Sequence, residues 1–191
     1  MVDLAEIQAA YYMVAATGVL IAAIYYIMNM RAADRNKKVQ LSTSITERLG
    51  SKDSMRDFAT LMTLKWNDID EYVKKYDLSD NSEGAREFFA QRWTLWALYE
   101  NVGYLLKNGL VDAEIVYHSQ GTHPMFIWGR YLPVFEYYRK KELGPRYFEN
   151  FEYLARRMWE MGKTRGLTSP DFKGGLTADV FKDVFEPKTV T

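Results

Sequence analysis

The chain has 191 residues with 25 basic and 25 acidic side chains, no cysteine and two histidines. Balanced charge leaves no basic footprint for a nucleic acid, and the lack of cysteine excludes disulfides, thiolate metal sites and cysteine nucleophiles. Aromatic residues make up 15% of the sequence, enough for a well-packed domain with rings to spare for an interface.

The first element is the uncharged run IQAAYYMVAATGVLIAAIYYIMNM at 7–30. As a helix it rises roughly 35 Å, enough to cross a hydrocarbon core of about 30 Å. A cleaved signal needs a basic leader, a short apolar core and a small-residue cleavage site. Here Asp3 and Glu6 precede the run, and Arg31, Arg35, Lys37 and Lys38 follow it. Basic flanks stay on the cytoplasmic side, so the expected arrangement is a single-pass anchor in the cell membrane, N-terminus outside and the remainder cytoplasmic. Tyr11 and Tyr12 lie about 21 Å from Tyr25 and Tyr26 along the helix axis, which suits amphipathic rings at the two interfaces. Ala15, Gly18 and Ala22 share one helix face, where small residues let a second transmembrane helix approach closely. Chance is the alternative for that face, because Ala recurs throughout the run. For the run as a whole the alternative is a buried helix of a soluble protein, which the lack of a polar face opposes.

Beyond the anchor at 1–30 we expect a juxtamembrane stalk at 31–52, a helical domain at 53–162 and an irregular tail at 163–191. All 25 basic residues lie after residue 30, against 23 of the 25 acids once Asp3 and Glu6 are set aside, so this remainder carries +2. Residues 31–48 hold no Gly or Pro, so the anchor helix is expected to continue until Gly50. Ser54 and Asp57 then resemble a capping box. Phe58, Leu61, Met62, Trp66, Ile69, Tyr72, Val73 and Tyr76 follow at helical spacing. Asp80 with Glu83 opens a second helix to about Lys107, stopped by Asn108-Gly109.

A short helix is predicted from Asp112 to about Gln120, with Ile115 and Val116 inward. Residues 125–142 continue in helical period, with a kink or delayed start at Pro133. Gly144 breaks the chain, and Pro145 fits the first position of a last helix ending near Gly162. Its apolar side is Phe148, Phe151, Leu154, Ala155, Met158 and Trp159. In the tail, Thr177 caps a short helix with Val180, Phe181, Val184 and Phe185 on one side. Such a helix is too short to persist alone, so it docks on its own domain or on a partner. No alternating run marks a strand. The fold class is all-α, one transmembrane helix followed by a small helical bundle.

The stretch from Trp93 reads WTLWALYENVGYLLKNGLVDAEIVYHSQGTHPMFIWGRYLPVFEYYR. Through Glu100, Val102, Gly103, Leu105, Leu106, Gly109, Leu110, Val111, Asp112, Val116 and Trp128 it resembles the prokaryotic membrane-anchored family DUF4760, a domain of unknown function. The resemblance implies one or two N-terminal transmembrane helices and a small helical domain. It implies no activity.

Two constellations offer chemistry. His118 and His123 flank a glycine turn, where imidazoles ligate metals and Asp112 or Glu114 could complete a site. The spacing matches no standard helical metal motif, so two loop or cap histidines are the alternative. Glu100 falls on the helix face of Trp93 and Trp96, and an acid among indoles is partly desolvated. It is either a proton-handling group or a structural acceptor for a Trp N–H, a Tyr hydroxyl or an Arg such as Arg130. Tyr131 and Arg139 are further partners of that kind. Phosphate loops, dinucleotide fingerprints and nucleophile elbows are missing from the sequence. The expectation is therefore a non-catalytic accessory or scaffold subunit of a membrane complex, its partners the bilayer and other membrane subunits, with no cofactor and no nucleic acid. The alternative is a membrane-bound enzyme or metalloprotein using Glu100, His118 and His123.

Overall fold

The computed structural model describes residues 3–76, 83–166 and 184–185. The described residues are helical and contain no strand, and they fall into two compact units, 1–40 and 41–191. The first unit is a single stretch of helix. α1 runs Leu4–Leu49 without interruption, and from Asp3 to Gln40 every residue of it is exposed. The absence of Gly and Pro between 31 and 48 lets it continue through the polar segment. Its last turns, from Leu41, belong to the second unit, where Ser42, Ile45 and Leu49 are buried at i, i+3 and i+7.

The second unit is a bundle. α2 spans Lys52–Thr63, α3 Ile69–Tyr76, α4 Glu83–Lys107, α5 Ala113–Gln120, α6 His123–Tyr138 and α7 Glu149–Thr164. α4 and α7 form the most extensive pairing, and α6 packs against α7. α4 contributes Leu95, Trp96, Tyr99, Val102 and Leu106 to the core, and α7 contributes Phe151, Leu154, Ala155 and Met158. α6 is the central helix. Pro124 to Gly129 are buried without a break, followed by Tyr131, Val134, Phe135 and Tyr138. The rings of Trp128 and Phe135 stack at 4.6 Å, and Trp96 meets Phe135 edge-on at 4.8 Å. Aromatic pairs of this kind add about 0.5–1.5 kcal/mol beyond their buried area.

Several local expectations are corrected. The helix after Gly50 starts earlier than Ser54: Ser51 is the N-cap, and its hydroxyl accepts from the Ser54 N–H at 3.2 Å. It also does not run through to Tyr76. Leu64 is extended (ψ 148°), and the chain restarts at α3, where Asp68 Oδ1 accepts from the Glu71 N–H at 2.8 Å. Ile115 is 41% exposed and only Val116 of that pair is buried. α6 passes through Pro133 and is followed by the π-helical segment Arg139–Leu143. Pro145 lies in a turn, and α7 begins at Glu149. Asp112 caps α5 as expected, accepting from the Glu114 N–H at 2.8 Å.

Candidate functional site

Two places on the molecule carry the residues singled out by sequence. The first is the exposed stretch of α1. Ala15, Gly18 and Ala22 lie on it, and a Cβ added at Gly18 meets nothing within 4 Å. Met13, Val14, Thr17, Gly18 and Ile21 line a shallow apolar depression there. The Thr17 hydroxyl donates back to the Met13 carbonyl at 2.8 Å, so its polar group is satisfied within the helix. Tyr11 and Tyr12 are 72% and 67% exposed, and Tyr25 and Tyr26 are 67% and 65% exposed. Every large apolar side chain from Leu4 to Met30 is exposed. The helix is long and apolar enough to cross a membrane.

The second place is Glu100 on α4. Its carboxylate faces the first turn of α7. Oε2 accepts from the Phe151 N–H at 2.7 Å, and Oε1 accepts from the Asn150 side-chain amide at 2.7 Å and the Asn150 N–H at 3.4 Å. The opening N–H groups of a helix have no partner within it. α7 has no cap of its own: Phe148 is the N-cap, in a left-handed conformation (φ 55°), with no side-chain hydrogen bond. Glu100 therefore caps α7 from another helix, and the charge also complements the helix dipole. Gly103, one turn along α4, lets the backbones close up. A Cβ there would fall 1.9 Å from the Asn150 carbonyl oxygen. The partners of Glu100 are thus Asn150 and the Phe151 N–H, in place of the Trp, Tyr or Arg groups expected. Arg130 instead donates to the Leu64 carbonyl and lies over the Trp66 ring, and the Tyr131 hydroxyl donates to the Leu61 carbonyl at 2.8 Å.

Phe148 holds its left-handed backbone because its ring is packed. It is buried among Trp93, Trp96, Phe135, Tyr147 and Phe151. The turn before it is tied by Arg139, which donates to the Tyr147 carbonyl and to Glu152, both at 2.9 Å. Burial pulls the Glu152 carboxyl up, but hydrogen bonds from Arg156 and Arg139 overcome it and hold the group below its ordinary range.

The two histidines have different surroundings. His118 is exposed on α5, and His123 opens α6 with its ring stacked on Phe58 at 4.2 Å. His123 Nδ1 is buried without a hydrogen-bond partner, and burial lowers the pKa of the ring. Among the described residues no three His, Asp or Glu side chains come together where a metal would bind, so Glu100, His118 and His123 form no common site.

In the tail, Val180 and Phe181 lie outside the described residues. Val184 is half-buried, and Phe185 is 8% exposed, stacked on Trp159 of α7 at 5.6 Å. The Arg156 guanidinium donates to its carbonyl at 3.5 Å. At Phe185 the tail thus rests on its own domain.

An all-α bundle with a long apolar N-terminal helix and a cross-helix carboxylate cap defines the architecture. The chain belongs to the family described as a domain of unknown function, DUF4760, whose pattern matches residues 13–158. No curated protein and no solved structure matches it.

Proposed function

We propose that this protein is a non-catalytic accessory or scaffold subunit of a membrane protein complex. α1 crosses the cell membrane once, with the N-terminus outside and the helical domain in the cytoplasm, and its Ala15, Gly18 and Ala22 face meets a helix of another subunit. One observation carries the reading: from Ile7 to Met30 the helix carries no charge, is predominantly apolar on every side, and is exposed at every residue. Folded soluble proteins rarely expose apolar patches beyond a few hundred Å², so such a surface calls for lipid and neighbouring protein. The bare surface at Gly18 supports a helix contact, since packing drives association in lipid. The engaged state of Glu100, bound to the start of α7, favours a structural over a catalytic role for that carboxylate. The basic residues after Met30 support the orientation.

Purification in mild detergent followed by mass spectrometry tests the reading. Membrane subunits recovered in fixed ratio with the chain, and lost on Gly18→Leu, are the expected result. A chain recovered alone and monomeric, under conditions that preserve other complexes, overturns it. Orientation is read separately. The sequence lacks Cys, so Asp3→Cys and Asn36→Cys each give one thiol. A membrane-impermeant maleimide should label the first and spare the second in intact cells.

A further inference from the structure

The polar segment that follows the apolar run has a geometry of its own. Arg31, Arg35, Lys37 and Lys38 are exposed on α1, with Asp34 the single acid between them, giving +3 over residues 31–38. Arg31, Arg35 and Lys38 stand at i, i+4 and i+7, so they fall within about 60° of one another around the helix. Lys37 lies off this stripe. Along the axis the stripe covers about 10 Å and starts at the residue after Met30. If the uncharged residues fill a hydrocarbon core of about 30 Å, the stripe begins at its edge and runs through a headgroup layer some 5–7 Å deep.

This inference rests on the membrane-spanning reading of α1. We infer that Arg31, Arg35 and Lys38 form a binding surface for anionic phospholipid headgroups, in the leaflet that meets the C-terminal end of the apolar run. The long stems reach along the apolar surface while the charged heads stay at headgroup level. The guanidinium of Arg presents paired donors that match phosphate oxygens. The axial position favours a lipid over an acidic protein segment: the cations lie where phosphates sit, one turn from the hydrocarbon.

The test uses the full chain reconstituted into phosphatidylcholine vesicles. Spin-labelled phosphatidylglycerol and phosphatidylcholine probes report the motionally restricted lipid at the protein surface. The expected preference for the anionic probe is roughly five-fold, the equilibrium equivalent of about 1 kcal/mol for a basic residue near the surface. It should fall toward one-fold in Arg31→Gln/Arg35→Gln/Lys38→Gln and shrink in high salt. The charge-retaining Arg31→Lys/Arg35→Lys variant should keep most of it. Equal restriction of both probes by the native chain, or a preference that survives the triple substitution, overturns the inference. Flotation of the same vesicles on a density gradient separates this from the anchor: a chain that floats without preferring the anionic probe sinks only the headgroup site, whereas one left at the bottom sinks the spanning reading as well.

Discussion

The exposed stretch of α1 and the central helix α6 are both rich in apolar side chains, yet one buries none of them and the other buries nearly all. α6 is surrounded by rings from α4 and α7, and its Trp128, Tyr131 and Phe135 are completely covered. From Ile7 to Met30, α1 is apolar on every side, and none of the described residues covers it. The difference lies in aromatic partners and close backbone approach. The bundle has Glu100 and Gly103 to bring α4 onto α7, whereas α1 carries a small face at Gly18 where an added Cβ meets nothing within 4 Å. Apolar content alone does not choose the solvent. The availability of complementary surface does.

Substitutions that act on one region and spare the other sharpen this contrast. The largest expected effect is in the bundle: Trp128→Ala should cost about 3–5 kcal/mol by chemical denaturation, because it empties the centre of the aromatic cluster. Membrane insertion should be unchanged. Next is Ile21→Arg in α1, with an expected cost of about 2.5–3.5 kcal/mol for inserting the helix. It should lower the membrane-bound fraction and leave the bundle's denaturation midpoint where it was. An equal loss of bundle stability would break the contrast.

Glu100→Ala comes third, with an expected loss of about 0.5–2 kcal/mol, the range for a helix cap. Glu100→Gln, which keeps one acceptor, should lose less. A general acid or base would show the opposite ranking of readouts, with activity lost and stability kept. The smallest effect concerns pH. Burial lowers the His123 pKa in the folded state, so the unfolded chain binds the proton more readily. Stability should be full above the ordinary histidine range, near 6.5, and decline as pH falls through it toward the folded value. His123→Phe should flatten that part of the denaturation profile.

The elements legible in sequence were those with local causes. The run at 7–30 contains no charge, Asp112 caps the next residues along, and the glycines at 109, 121 and 144 adopt positive φ where the helices end. The break between α2 and α3 was hidden by an apolar period that continues through Trp66. Its physical cause is tertiary: the carbonyls of Leu61, Leu64 and Lys65 are taken by Tyr131, Arg130 and Tyr76. A local signal was nonetheless there, because Asp68 and Glu71 have the spacing of a capping box, and Glu71 also accepts from the Asn67 N–H at 2.9 Å. The role of Glu100 was half legible. Its helix face could be counted, but its partners Asn150 and Phe151 are 50 and 51 residues away. No spacing rule reaches that far. The buried side of α5 was also beyond periodicity, since Ile115 and Val116 are adjacent and equally apolar, and only packing decides between them.

Alkaline carbonate extraction of native membranes, with the pelleted and released chain identified by intact mass, tests the central claim most directly. Lipid solvation of α1 predicts that the protein stays in the pellet with residues 4–40 still attached. A chain released to the supernatant, or a helical domain recovered without those residues, would contradict it.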